Sequence, residues 1–352
     1  MKGETTMAAP VVRTPASQGL DLLVQARRSV EPGLREWAGQ LPAVARRWAG
    51  YHLGWLDAEG RPSVEAAGKA VRPALAFTAA RAVGGTGQDA LGAAVAVELV
   101  HAFSLAHDDI FDGDALRRHR PTVWKAFGVP AAVLTGDALL SLACKVLADT
   151  PGPQSARSVS WLAEAVAQLV EGEAADVAFE TRTDVTVAEY TAMAADKTGA
   201  LMGCACALGA LAGGGGDVRA GYMAEFGRHL GVAFQIVDDL LGIFGDPAAT
   251  GKPVGADLAA RKKTYPVLAA LASATPAGQQ LAAMYAAEGA LGEEQRVRAT
   301  QWVADAGGRQ QAQQAANLEL AAAFTALVKA DPQPQALDEL TALAGVLTHR
   351  KA

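Results

Sequence analysis

Cysteine is scarce in this sequence: Cys144, Cys204 and Cys206 are the only three among 352 residues. The count is odd and no spacing suits a metal. Each lies in an Ala/Leu-rich segment, so a disulfide framework and a thiolate metal centre find no support and small packed thiols are expected. Alternating β-branched residues between turns are nearly absent, which argues against a fold built on strands. No long Lys/Arg run occurs and the formal charge is −6, a balance without the electrostatic footprint of a nucleic-acid-binding protein. Gly-rich phosphate loops are missing, as are paired His and Cys residues, and nucleotide chemistry is poorly supported. No uninterrupted apolar run reaches ~18 residues and the N-terminus has no apolar signal core, so a cytoplasmic protein without stable membrane insertion is expected.

What is abundant is helix-forming apolar sequence. Hydrophobic residues make up 51% of the chain, enough to bury a substantial core. Length alone would allow two domains. The Pro/Gly/Ser-rich stretches, however, are short and sit between helix-like runs, which predicts one all-α domain over 18–352. A polar leader over 1–17, with Pro10 and Pro15, is expected to be disordered. Helical periodicity starts near Leu20, with Pro32 and Pro42 read as first-turn residues or breaks. Further helices are expected from Pro73 to the Gly84-Gly85 pair, at the stretch from Glu98 to Asp112, and over 131–148, 155–179, 187–212 and 222–242.

Two of these helices end in acid. The run HDDIFDGD places Asp108, Asp109 and Asp112 at the end of an apolar helix, with Asp108 and Asp112 one turn apart on one face and Glu98, His101 and Leu105 continuing the stripe backwards. The run FQIVDDLLGIFGD repeats the arrangement with Asp238 and Asp239, and Gln235 a turn earlier. Carboxylates this close repel one another unless a hard divalent cation sits between them, and oxygen-only ligands favour Mg²⁺. Around them the sequence supplies cations at Lys69, Arg72, Arg117, Arg118, Lys197, Lys252 and Lys262. Phosphate is the natural bridge, because Mg²⁺ is commonly held by one or two carboxylates plus substrate phosphate oxygens. An EF-hand reading of the first run fails, since His119 stands where the twelfth-position acid is required.

Taken in order, these motifs resemble the trans-isoprenyl diphosphate synthase (polyprenyl synthetase) family over nearly the whole chain from about Leu20. GKAVRP is similar to the family's GGKRxRP element, HDDIFDGDALRRHRPT to its first aspartate-rich motif with the arginine pair, DKTG to its Lys-Thr pair, and the stretch from Phe234 to Pro266 to its second aspartate-rich motif and lysine tail. The resemblance implies a helical domain of the isoprenoid synthase type around a deep central cavity, a homodimer, and condensation of isopentenyl diphosphate with an allylic diphosphate using three Mg²⁺ ions. By position, Asp108 and Asp112 would ligate two metals with Asp109 in support, and Asp238 the third with help from Asp239. Arg117, Lys197, Lys252 and Lys262 would contact the allylic diphosphate; Lys69, Arg72, His101 and Arg118 would hold isopentenyl diphosphate. Thr198 and Gln235 would face the developing carbocation.

The chain departs from the family pattern at four positions. Gly242 replaces a third aspartate of the second motif, Ala67 a glycine and Ala70 an arginine of the basic element, and Glu173 a common glutamine. Phe103 and Ser104, the fifth and fourth residues before Asp108, form an aromatic-then-small pair that resembles geranylgeranyl (twenty-carbon) synthases. Two alternatives use the same fold: a terpene cyclase, which would have no need of the isopentenyl residues present here, and a non-catalytic subunit of a partner synthase, which would be free to lose the aspartates kept here.

Overall fold

The computed structural model describes residues 14–63, 68–150, 154–245, 255–287 and 291–349. The chain is a stack of helices, and the strands among the described residues are the paired dipeptides β1 (Leu116–Arg117) and β2 (Arg120–Pro121). The innermost helix is α9, Ala200–Ala212, in which every residue from Ala200 to Leu211 is buried. Its sequence, ALMGCACALGALA, is apolar all round, as a helix covered on every side must be. Cys204 and Cys206 lie inside it and burial pushes both thiols far up, in keeping with packing rather than chemistry. Around α9 lie α3 (Val71–Ala82), α4 (Leu91–Phe111), α7 (Ser155–Thr181) and α10 (Gly216–Phe244).

Several boundaries differ from the sequence expectation. The first helix, α1, spans Pro15–Ala38 and starts at a Thr14 cap, so residues 15–17 belong to a helix and not to a disordered leader; 1–13 lie outside the described residues. Pro32 sits within α1 without ending it. Pro42 is the N-cap of α2, Ala43–His52. The helix expected over 187–212 is divided: α8 (Val187–Ala194) passes into a π-helical turn, Ala195–Gly199, before α9 begins. Between α5 (Val123–Phe127) and α7 runs α6, Val129–Asp149, the one described helix long and apolar enough to cross a membrane; half of its most apolar window is buried, and it packs on α4 and α7.

The fold's contribution to the site lies at the ends of α4 and α10. Asp112 caps α4 at its C-terminus, and Asp238 and Asp239 fall in the last two turns of α10. A helix C-terminus carries the negative end of the backbone dipole, so carboxylates there are at the disfavoured end. Both acidic runs therefore call for compensating positive charge.

Candidate active site

Adjacent residues on a helix point about 100° apart, so the two members of each Asp-Asp pair meet different surroundings. In α4 Asp109 turns inward: it is 1% exposed and accepts a 2.7 Å ion-paired hydrogen bond from Arg117 Nε. In α10 Asp239 turns inward and Asp238 is exposed. Asp239 accepts from the Tyr190 hydroxyl at 2.5 Å, the Tyr265 backbone N–H at 3.1 Å and Gln235 Nε2 at 3.2 Å. Burial raises its carboxyl to about 7 against the pull of these donors. These bonds make Asp109 and Asp239 anchors of the helix ends and leave Asp108, Asp112 and Asp238 as the outward acids.

Asp108 is the centre of the first cluster. Burial, then the negative charge of Glu173, push its carboxyl up to about 7. Glu173 on α7 is itself buried, with Oε2 2.8 Å from Lys197 Nζ and Oε1 without a hydrogen-bond partner. Lys197 also donates to Asp176 at 2.6 Å. Burial opposes the charge of Lys197, but Asp176, Glu173 and Asp108 together hold its pKa above the ordinary value. The lysine reaches them because the π turn swells the chain there, a distortion often found at functional sites. Gly172 makes room for it: a Cβ at that position would lie 2.2 Å from the Lys197 backbone nitrogen.

From the other side, Lys262 Nζ stands 3.7 Å from Asp112 Oδ2. Burial disfavours its charge and Asp112, Asp176 and Asp257 restore it. Residues far apart in sequence are thus drawn into one electrostatic ring. Thr198, on the π turn, donates to Gln235 Oε1 at 2.9 Å, which joins the Lys-Thr pair to the second acidic helix. Lys252 lies outside the described residues.

The basic residues gather round a cavity with about 970 Å³ of free space, open to solvent and lined by Gly68, Glu98, His101, Arg117 and Arg118 among others. Arg118 and His119 form the turn of the β1–β2 hairpin with φ of 52° and 67°. Two-residue hairpins of this shape favour Asn-Gly, because non-glycine residues in the left-handed region cost about 1 kcal/mol each or more. The strain places Arg118 at the cavity, while Arg120 braces the hairpin by donating to the Leu56 carbonyl at 2.9 Å. Arg72 lies beside Glu98: burial lowers the guanidinium pKa, and Glu98 and Asp108 work against that. Burial raises Glu98 against Arg72 and Arg118. Burial and the three arginines hold His101 well below its ordinary pKa, so it is neutral, and its Nδ1 is buried without a partner.

Arg117, expected on the allylic side, is bound to Asp109 and lines the cavity with Arg118. Lys69 is exposed and is not among the cavity-lining residues. Phe103 is 7% exposed and packs edge-on against His107 with centroids 5.0 Å apart; neither it nor Ser104, whose hydroxyl donates to the His101 carbonyl at 3.0 Å, lines this cavity. Sequence reasoning missed Arg27 of α1 and His52 of α2, both at the cavity wall. Burial takes His52 down to about 4, although the ring is 2.8 Å from the Ala102 carbonyl oxygen. Nothing local in the sequence marks Arg27, His52 or Tyr190 as a site residue.

A polyprenyl synthetase family model matches residues 54–303, more than half of the chain. The chain belongs to the polyprenyl synthetase family. Among relatives in this family, it is 44% identical over 353 residues to a geranylgeranyl diphosphate synthase of Mycobacterium tuberculosis, with 100% of both chains covered. It is 50% identical over 265 residues to a (2E,6E)-farnesyl diphosphate synthase of Mycobacterium bovis, covering 75% of this chain and 74% of that one. The fold is similar to the crystal structure of a polyprenyl synthetase from Streptomyces coelicolor, with a TM-score of 0.90, 42% identity, and coverage of 93% and 98%. A geranylgeranyl pyrophosphate synthase from Corynebacterium glutamicum, complexed with isoprenyl diphosphate and magnesium, aligns with a TM-score of 0.75 and 26% identity over 96% of this chain and 99% of that one. The polyprenyl synthetase resemblance read from the motifs therefore holds, and so does the all-α isoprenoid synthase fold.

Proposed function

We propose that this polyprenyl synthetase is a short-chain trans-prenyltransferase that joins isopentenyl diphosphate to an allylic diphosphate (dimethylallyl, geranyl or farnesyl) and makes geranylgeranyl diphosphate, with farnesyl diphosphate as the shorter alternative. The observation that carries the reading is the approach of Lys262 to Asp112: a cation from the tail after the second acidic motif meets the first. The relatives are synthases of both product lengths, and neither a cyclase nor a non-catalytic subunit finds support among them.

The acids fit a divalent cation. Glu173 Oε1 and Asp109 Oδ2 are buried without partners, and negative charge crowds Asp108. Mg²⁺ is commonly held by one or two carboxylates, with substrate oxygens and water completing the shell. In this reading Asp108, Asp112 and Asp238 hold three Mg²⁺ ions. When bound, Mg²⁺ would neutralise charge developing on the departing diphosphate.

Lys197, Lys252 and Lys262 bind the allylic diphosphate, with Lys197 exchanging its carboxylate partners for phosphate oxygens. Arg72, His101, Arg117 and Arg118 hold the second diphosphate, with Lys69 at the rim. As the allylic C–O bond breaks, the oxygen dipoles of Thr198 and Gln235 face the positive carbon. The isopentenyl double bond then forms the new C–C bond and the lost proton passes to the released diphosphate. A homodimer is proposed as the working unit, supported by exposed apolar side chains on the adjoining α6 and α7, including Leu134, 53% exposed, and Val170, 53% exposed.

The direct test is incubation with isopentenyl diphosphate, Mg²⁺ and each of the five-, ten- and fifteen-carbon allylic diphosphates, followed by chromatography of the dephosphorylated products. A cyclic hydrocarbon formed without isopentenyl diphosphate overturns the proposal. Phe103 is proposed as the floor of the product cavity, five residues or about 7.5 Å along α4 from Asp108. Phe103→Ala is expected to lengthen the product and Ser104→Phe to shorten it; an unchanged length distribution in the Phe103 variant places the floor elsewhere.

Proton competition gives a second check. The folded protein raises Asp108 from 3.8 to about 7, so the fold binds this proton more tightly than the unfolded chain does. That contribution to the stability of the metal-free protein is full at low pH and is lost as pH rises through about 7. Cation binding requires the ionised form. Mg²⁺ affinity is therefore expected to rise between pH 6 and pH 8, with proton release of up to one per Asp108 at the acid end, read by calorimetry in buffers of different ionisation enthalpy. A flat affinity profile contradicts the assignment.

A further inference from the structure

The first helix puts one more cation on the open cavity than the sequence motifs account for. Arg27, Val30, Glu31 and Leu34 of α1 recur at three- and four-residue intervals, so they share one face of the helix, and all four line the cavity that has Arg117 and Arg118 in its wall. Close packing holds that helix in place: a Cβ built on Gly33 would lie 2.9 Å from a methyl carbon of Val95 on α4. Arg27 is half-buried and makes no hydrogen bond or ion pair among the described residues. Its charge falls on the arginine pair: burial lowers the Arg118 pKa, Arg117 and Arg27 add to that, and Glu98 works against them. Among the described acids that line the cavity, Glu31 is bonded to Arg35 and Asp109 to Arg117, while Glu98 faces Arg72 and Arg118. None is committed to Arg27. On the same cavity Ala70, 5% exposed, stands where the family's basic element carries an arginine.

We propose that Arg27 is a further substrate-binding residue, which contacts the diphosphate of isopentenyl diphosphate in this cavity and supplies from α1 the charge that Ala70 does not. The inference rests on the two-substrate reading above. Like charges gathered at one cavity repel until an anion lies between them, and a diphosphate offers several acceptor oxygens to guanidinium donors at once. Arg28 serves as an internal contrast. It points about 100° away from Arg27, is exposed and does not line the cavity.

The probe is isopentenyl diphosphate titrated by calorimetry into the full chain without Mg²⁺, which leaves the acidic helix ends out of the measurement. Arg27→Gln is expected to weaken binding roughly 10-fold, as the loss of one charge-assisted contact does, with a melting temperature near that of the parent because no internal bond is broken. The gap between parent and variant should narrow as salt is raised, and Arg27→Lys, which keeps the charge without the planar fork, should bind between the two. Arg28→Gln is expected to bind as the parent does. In steady state with Mg²⁺, Arg27→Gln should raise the Michaelis constant for isopentenyl diphosphate and move that for the allylic partner much less. An unchanged Michaelis constant for isopentenyl diphosphate in Arg27→Gln, or an equal loss of binding in Arg28→Gln, overturns the proposal. If the parent neither binds isopentenyl diphosphate nor makes product from it, the two-substrate reading falls and this inference with it. If the parent binds, Arg72→Ala loses binding and Arg27→Gln does not, this inference alone falls.

Discussion

Alanine at Asp108 or at Asp238 is expected to reduce turnover by ~10³-fold or more while the helical fold persists, a loss corresponding to at least ~4 kcal/mol of transition-state stabilisation. The two residues are the outward members of their pairs, Asp109 and Asp239 being bonded inward to Arg117 and to Tyr190, Gln235 and Tyr265. Removing Asp108 takes away a carboxylate already crowded by burial and by Glu173, so the metal-free variant should be no less stable than the parent near neutral pH. The expected pattern is lost catalysis with retained or raised melting temperature. Near-normal steady-state turnover of either variant in magnesium buffer contradicts the metal assignment. Asp239→Ala should differ in kind: three donors lose their acceptor, and the melting temperature should fall along with activity.

Arg72→Ala is expected to raise the Michaelis constant for isopentenyl diphosphate roughly 10- to 100-fold, from a charge-assisted contact of ~1.5–3 kcal/mol. The Michaelis constant for the allylic partner should move much less. Arg72 shares its surroundings with Glu98, His101, Arg117 and Arg118, the arginine pair lining the open cavity. Its Nε is buried without a partner, an arrangement suited to an anion that completes the group. Initial rates with each substrate varied in turn decide the matter. Equal rises in both constants mean that Arg72 serves the two diphosphates alike, as its proximity to Asp108 would then explain.

The sequence by itself determined the fold class, the two acidic helix ends and the stock of cations, because each depends on local regularities: apolar spacing along a helix, carboxylates four residues apart, and glycine or proline near helix ends. It also carried the family resemblance, since ordered short motifs survive in a linear reading. Tertiary packing decided the rest. Which partners each member of an adjacent Asp pair meets depends on how the helix is rotated against its neighbours, and for Asp239 they include Tyr190, 49 residues earlier. The π turn that offers Lys197 to Glu173 and Asp176 depends on the close approach of Gly172. Arg27 and His52 reach the cavity only because α1 and α2 fold back on it. Gly242 reads along the chain as a missing carboxylate; in space a Cβ there would meet the Asp257 carboxylate, a contact no linear reading shows, because packing acts between neighbours in three dimensions whatever their separation in sequence.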